Sequence, residues 1–166
     1  MDKIGPATLF NSPLEIGLRI LFLFKNTKKY GLDMQRLVYY SYLLVHSSDV
    51  PDSPKSLHPN FPDRSCEILI SRELISNGLK LLLSKGLICI DYNKSGIKYK
   101  KNDKTTKFLE YFESNYSKEL DERSMWVCGK FDDLKDDKLN DFMQQNLGKW
   151  GSEFSRDYRI MGDDVA

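Results

Sequence analysis

Two histidines, His46 and His58, are the only ones in the chain, and both stand in one segment, HSSDVPDSPKSLHPNFPDRSCE, beside Asp49, Asp52, Asp63, Arg64 and Cys66. Imidazole, carboxylate and thiolate groups can together hold zinc, which takes about four such ligands in a tetrahedral array. His46, His58, Cys66 and one aspartate would fill that count, but their spacings match no familiar zinc motif. A hydrolase would need a nucleophile with an oriented base. Ser47 directly follows His46, and adjacency in sequence does not aim one side chain at the other. GxSxG, HExxH and P-loop strings do not occur. The residues therefore read as non-catalytic, with no metal and no cofactor: His46 ends a helix, where a donor helps satisfy terminal carbonyls, and His58 packs beside Pro59. What remains is a shaped loop, stiffened by Pro51, Pro54, Pro59 and Pro62, which lower the entropy cost of holding one conformation.

The elements around this loop follow from periodicity and punctuation. In NSPLEIGLRILFLFK, Ser12 suits an N-cap, Pro13 the first helical position, and Glu15 a capping box with Ser12. Leu14, Leu18, Leu21 and Phe24 form one apolar stripe and Ile16, Ile20 and Leu23 another, so this helix is apolar on two sides. After the turn NTKKYG, Asp33 caps a second helix with Met34, Leu37, Val38, Ser41, Leu44 and Val45 on one face. Tyr39, Tyr40 and Tyr42 lie largely off that face and supply either a second packed surface or a binding one. Downstream, Leu74, Ile75, Leu79, Leu82 and Leu83 make an amphipathic helix that Gly86 stops. LICIDY, NKSG and IKYK then read as strand, tight turn and strand, and CEILI is expected to add a short third strand.

This order predicts an α+β, mostly α fold: a winged-helix-like domain with a β-hairpin wing, spanning 1–113 with the Pro-rich loop at 47–65. A C-terminal helical hairpin is expected over 114–150, capped at Ser114 and, for its second helix, favoured by Asp132 or Asp133. A polar tail completes the chain over 151–166, expected to order only on a partner.

Composition narrows the function classes. The chain has 166 residues, a formal net charge of +1 and three cysteines, Cys66, Cys89 and Cys128, with no CxxC pair. Reduced thiols point to a cytoplasmic protein. LRILFLF carries Arg19 and is too short to span a bilayer, and MDKIGPATLF lacks a signal-peptide layout. The wing and its exit carry Lys94, Lys98, Lys100, Lys101 and Lys104, available for DNA phosphates. The helix before the wing offers no dense Arg, Asn or Gln set for base edges. Apolar surface on the first two helices, the proline loop and the C-terminal hairpin is in excess, and Tyr39, Tyr42, His46, His58, Pro59, Arg64, Trp126 and Trp150 are expected to bind a partner.

The strings NSPLEIGLRILFLF, LDMQRLVYYSYLLVHSSD, SLHPNFPDRS and ISRELISNGLKLLLSKGLI, between about Asn11 and Trp126, resemble the middle component of ABC three-component bacterial defence systems, the small subunit of Lamassu-type operons. The resemblance implies a non-catalytic adaptor between an SMC-like ABC ATPase that senses foreign DNA and an effector, often a nuclease, held inactive until phage or plasmid arrives. His46, Ser47, His58, Pro59, Pro62 and Arg64 carry over as a structural or docking signature. The alternative is a free-standing winged-helix DNA-binding regulator.

Overall fold

The computed structural model describes residues 11–59 and 64–150. Six helices and one two-stranded sheet follow in the order α1 (Pro13–Asn26), α2 (Met34–Val45), α3 (Arg64–Ser84), β1 (Ile88–Asn93), β2 (Gly96–Lys101), α4 (Asp103–Leu109), α5 (Asn115–Phe131) and α6 (Asp136–Leu147). A single 3-10 turn, Ser47–Asp49, follows α2. The described chain is thus mostly helical, with a small antiparallel sheet. The expected tail, 151–166, lies outside the described residues.

Helix starts sit where side chains can satisfy the first orphan N–H groups. Ser12 Oγ accepts from the Glu15 N–H at 3.2 Å, Asp33 accepts from Arg36 at 2.8 Å, and Ser114 accepts from Ser117 at 3.1 Å. Asn102 and Thr105 form a reciprocal capping box on α4. The box expected at Ser12 is only half made: the Glu15 carboxylate turns away to pair with Arg19 and to accept from the Tyr116 hydroxyl at 2.7 Å. A buried guanidinium has a stronger claim on that carboxylate than an exposed cap has.

Two expectations fail at α3. It begins at Arg64, so Cys66–Ile70 is helix and not a third strand, and the loop is shorter than 47–65. A five-residue segment with one charge, Glu67, has no period long enough to choose between the two states, and here Ile68 and Ile70 continue the helical register of Ile75 and Leu74. At its other end α3 stops as expected: Gly86 takes φ 66° while Gly86 N–H and Leu87 N–H return to Leu83 and Leu82 carbonyls. The hairpin that follows pairs Ile88 with Lys101 through Asn93 with Gly96. Leu32, in the α1–α2 turn, bridges Tyr99 on β2.

The Ile16–Ile20–Leu23 stripe of α1 is consumed internally, and the other stripe only at its Leu21–Phe24 end, since Leu14 is 63% exposed. Ile16, Ile20, Leu21, Leu23 and Phe24 are all buried, because α1 packs against α3 on one side and α5 on another. The tyrosine side of α2 is internal too: Tyr39, Tyr40 and Tyr42 are each buried. This corrects the expectation of Tyr39 and Tyr42 at a partner surface, since α5, α6 and the loop after α2 cover that side.

Helices α1 and α3 cross closely at two glycines. A Cβ on Gly78 would stand 2.8 Å from Ile16 Cγ2, and one on Gly17 would stand 3.2 Å from Leu82 Cδ2. A polar node joins α2 to the α5–α6 turn. Buried Arg36 donates to Asp136, to the Tyr40 hydroxyl at 2.8 Å and to the carbonyls of Phe131 and Leu134 at 3.2 and 2.7 Å. Asp132 accepts from Tyr40 at 2.9 Å, from Thr27 Oγ1 at 2.9 Å and from the Lys28 N–H at 2.8 Å. Asp132 therefore ends α5 and ties α1 to it, rather than favouring the start of α6, which begins at Asp136 after Lys135.

Gly78→Ala is expected to cost about 1–3 kcal/mol by overpacking, read by denaturant melts. Gly129→Ala, where an added Cβ meets nothing within 4 Å, is expected to be neutral or to gain roughly 0.5–1 kcal/mol from helix propensity. Arg36→Ala is expected to lose about 3–5 kcal/mol by stranding buried acceptors. Arg36→Lys should recover only part of that, since one ammonium cannot span the same fork.

Candidate functional site

The loop after α2 is built from both of its ends. His46 is the C-cap of α2, with its N–H bonded to the Tyr42 carbonyl. Its ring is fully buried, and Nε2 lies 2.7 Å from Oε1 of Glu67 in the first turn of α3. The first and last residues of the histidine-bearing segment thus meet and clasp it shut. Inside, Ser47 Oγ donates to the Pro54 carbonyl at 2.8 Å. Ser48 and Ser56 exchange side chain–backbone bonds of 3.0 and 2.7 Å. The Leu57 and His58 N–H groups both reach the Val45 carbonyl. Tyr42 donates to Asp49, and Arg123 on α5 donates to the Lys55 carbonyl at 2.8 Å. The prolines supply stiffness and these bonds supply shape; backbone of this kind must find partners if it is to stay ordered away from water. Asp52 alone takes a positive φ among the described non-glycine residues.

The clasp opens onto a buried polar chain. His58 Nε2 lies 3.4 Å from the Tyr116 hydroxyl, which bonds Glu15, which pairs with Arg19. The two imidazoles stand edge to face with centroids 6.3 Å apart. Burial, with the Arg19 guanidinium and the His46 ring nearby, pushes the His58 imidazole down to about 3. Burial likewise drives the Tyr116 phenol upward, helped by the neighbouring Glu15 charge. His46 Nδ1 and Glu67 Oε2 have no hydrogen-bond partner among the described residues. The chain runs from α3 through α2 and the loop to α5 and α1, so it fixes four helices against one another.

This arrangement offers little for catalysis. Ser47 Oγ is engaged with Pro54, not with His46, and among the described residues no group of three or more His, Cys, Asp or Glu side chains could hold a metal ion. The Cys128 thiol is buried and pushed up to about 12 by that burial, with Asp132 adding to it. No helix among the described residues is long and apolar enough to cross a membrane.

The sequence-predicted surface residues separate into two sets. Tyr39, Tyr42 and His46 are internal and form the scaffold. Tyr39 bonds Asn140 at 2.6 Å, and Tyr42 stacks on Trp150 with centroids 5.6 Å apart. Pro59 is exposed, and His58, Trp126 and Trp150 are half-buried. Arg64 opens α3, and its side chain lies outside the described residues, as do Pro62 and Asp63. The sequence reading missed the outward face of α3 beside the clasp, where Leu69 and Ile70 are 76% and 56% exposed. It also missed an apolar groove of about 310 Å³ lined by Leu14, Leu18, Leu21, Leu81, Leu82, Leu87 and Phe108 with Lys85 at its edge. Assigning CEILI to a strand hid the first, because a helical reading would have set Leu69 off the Leu74–Ile75 stripe and run Ile70 on beyond its buried end.

Because His58 is held neutral in the fold and has an ordinary value near 6.5 when unfolded, the unfolded chain takes up more protons as pH falls. Stability from this site is present above about pH 6.5 and declines toward pH 3. Unfolding free energy followed against pH should show His58→Gln with a flatter acid limb than the parent chain, by up to one proton.

A family model described as the ABC-three component (ABC-3C) system Middle Component 2 matches residues 9–153. No curated protein and no solved structure matches the chain.

Proposed function

We infer the role of this protein from the family to which it belongs, middle component 2 of ABC-three component systems: it is a non-catalytic adaptor joining an SMC-like ABC ATPase that senses foreign DNA to an effector nuclease, in a cytoplasmic antiphage complex of the Lamassu type. Membership in a multi-component system means that it works with other components. The observation that carries the adaptor reading is the pair of exposed apolar residues on α3, Leu69 and Ile70, at 76% and 56% exposure. They stand beside a loop whose conformation is fixed by its own hydrogen bonds. Large apolar side chains held on a rigid element are what partner contact uses and what a solitary domain normally hides.

The core supports a winged-helix reading. Helix α1, the Leu32 segment, α2, α3 and the β1–β2 hairpin follow one another in that order, with Leu32 bonded to Tyr99 as a short third rung on the wing. In this reading α3 presents its N-terminal half, with Leu69 and Ile70, to another component of the system, and exposed Pro59 adds to the contact. Half-buried His58 meets Tyr116 and half-buried Trp150 stacks on Tyr42 next to the His46 clasp, while Trp126 packs on Phe131. The resting effector is held, and DNA engagement by the ATPase weakens the hold. A switch of this kind requires unequal contacts with the two states.

Leu69→Asp with Ile70→Asp should leave the chain folded, since both side chains point to solvent, while co-purification with the ATPase or effector component falls by about tenfold or more, as expected for interface anchors. Retention of both partners by the folded double variant would remove this surface from the proposal. A parent chain that stays monomeric and ignores both components would remove the adaptor role itself.

A further inference from the structure

The hairpin lysines do not stand alone in the fold. Backbone bonds of 2.9 Å run both ways between Leu32 and Tyr99, laying the turn Lys28–Lys29–Tyr30–Gly31 along β2. Gly31 fits closely there: an added Cβ would lie 3.1 Å from the Tyr99 carbonyl and 3.2 Å from Lys98 Cβ, with Lys100 Cβ at 3.7 Å. Lys98 and Lys100 are two residues apart on β2, so they share one face and are spaced by about 7 Å. The Lys100 ammonium sits 4.4 Å from the centroid of the exposed Tyr30 ring and donates to its hydroxyl. Lys29 and Lys98 both act on the Asp136 carboxylate, which places the turn and the strand on one surface.

The opposing carboxylates are largely engaged elsewhere. Asp136 is bonded by Arg36, Asp132 by Thr27 and Tyr40, and Asp33 caps α2. Asp91, in register opposite Lys98, is the carboxylate on the hairpin itself. Lys104, grouped with the wing on sequence alone, lies by Gly86 at the base of the hairpin and does not join this face.

We propose that this face binds the backbone of duplex DNA, with Lys28, Lys29, Lys98 and Lys100 at phosphates and the exposed hairpin tip, Asn93–Gly96, entering a groove. A two-stranded ribbon matches the major groove, about 12 Å wide. The face is lysine-rich and without arginine, a composition that protein interfaces avoid and phosphates suit. Single strands are bound on rows of open aromatic rings; here one face of the Tyr30 ring carries the Lys100 ammonium, which leaves Tyr92 as the open ring on β1. The inference is independent of the adaptor reading, which concerns α3.

The test is fluorescence anisotropy of a short labelled DNA duplex with the full chain. Affinity is expected to fall between about 50 and 200 mM salt with a log–log slope near −3 to −4, corresponding to roughly four phosphates. Lys98→Glu with Lys100→Glu, and separately Lys28→Glu with Lys29→Glu, should each weaken binding about tenfold or more, while Lys104→Glu leaves it unchanged. Far-ultraviolet circular dichroism checks that each variant is folded. Co-purification with the other components should survive both double reversals. The proposal is overturned by absence of binding at low salt, by equal affinity of folded charge-reversed chains, or by tighter binding to a single strand than to the duplex. It is also overturned if the reversals abolish partner capture and leave DNA binding intact, which would make the face a protein contact.

Discussion

The relative placement of the helices depends on one buried exchange of hydrogen bonds around Arg36 and Asp132. Arg36 brings a guanidinium from α2 to the turn between α5 and α6, where it satisfies two main-chain carbonyls and Asp136. Asp132 brings a carboxylate from the end of α5 to the end of α1, where it satisfies Thr27 and the Lys28 N–H. The Tyr40 hydroxyl links the two by accepting from Arg36 and donating to Asp132. Each charge is costly to bury, and each is tolerable only because the others complete its bonds. Apolar contact would let α5 slide or rotate on α1 and α2 at modest cost; a polar node with fixed donor directions does not. It also sets where the chain turns into the hairpin, because the same Lys28 whose N–H is held by Asp132 opens the KKYG turn beside β2.

The second polar assembly, from Glu67 through the two histidines to Tyr116, Glu15 and Arg19, shapes the loop. Its components are those of an acid–base site, but the arrangement works against that use. His58 is kept neutral by burial and by the positive neighbour Arg19, and the nearby serine hydroxyls are committed to loop carbonyls and N–H groups. The histidines are engaged with side-chain partners in other elements and the serines with the loop backbone, and the product is a loop whose shape is set by its own hydrogen bonds.

Much of this was legible in the sequence. Ser12, Asp33 and Ser114 signalled helix starts, Gly86 signalled the stop of α3, and NKSG marked the tight turn, because each is a local choice decided within a few residues. His46 as the end of α2 was legible for the same reason. The failures share a different cause. Tyr39 and Tyr42 were placed outside because periodicity gives one face of a helix and not what covers the other; α5, α6 and the loop come from residues 49–150. CEILI is too short to show its period. Asp132 was read as an N-terminal charge because its partners, Thr27 and Tyr40, are more than ninety residues away in sequence. Lys28 and Lys29 were passed over as turn residues because their nearness to Lys98 exists only once Leu32 pairs with Tyr99.

The glycine crossing of α1 and α3 has a mechanical corollary. At about 1.5 Å per residue, Gly78 divides α3 unequally, with Leu69 roughly 13 Å to one side and Ser84 roughly 9 Å to the other. Each glycine receives a side chain of the facing helix, Ile16 at Gly78 and Leu82 at Gly17, so the crossing has little slack to absorb a tilt and would serve as a fulcrum. A push on the Leu69 end strong enough to open the His46–Glu67 clasp would tilt α3 about this crossing and carry the base of the hairpin the opposite way, as the arms of a seesaw move.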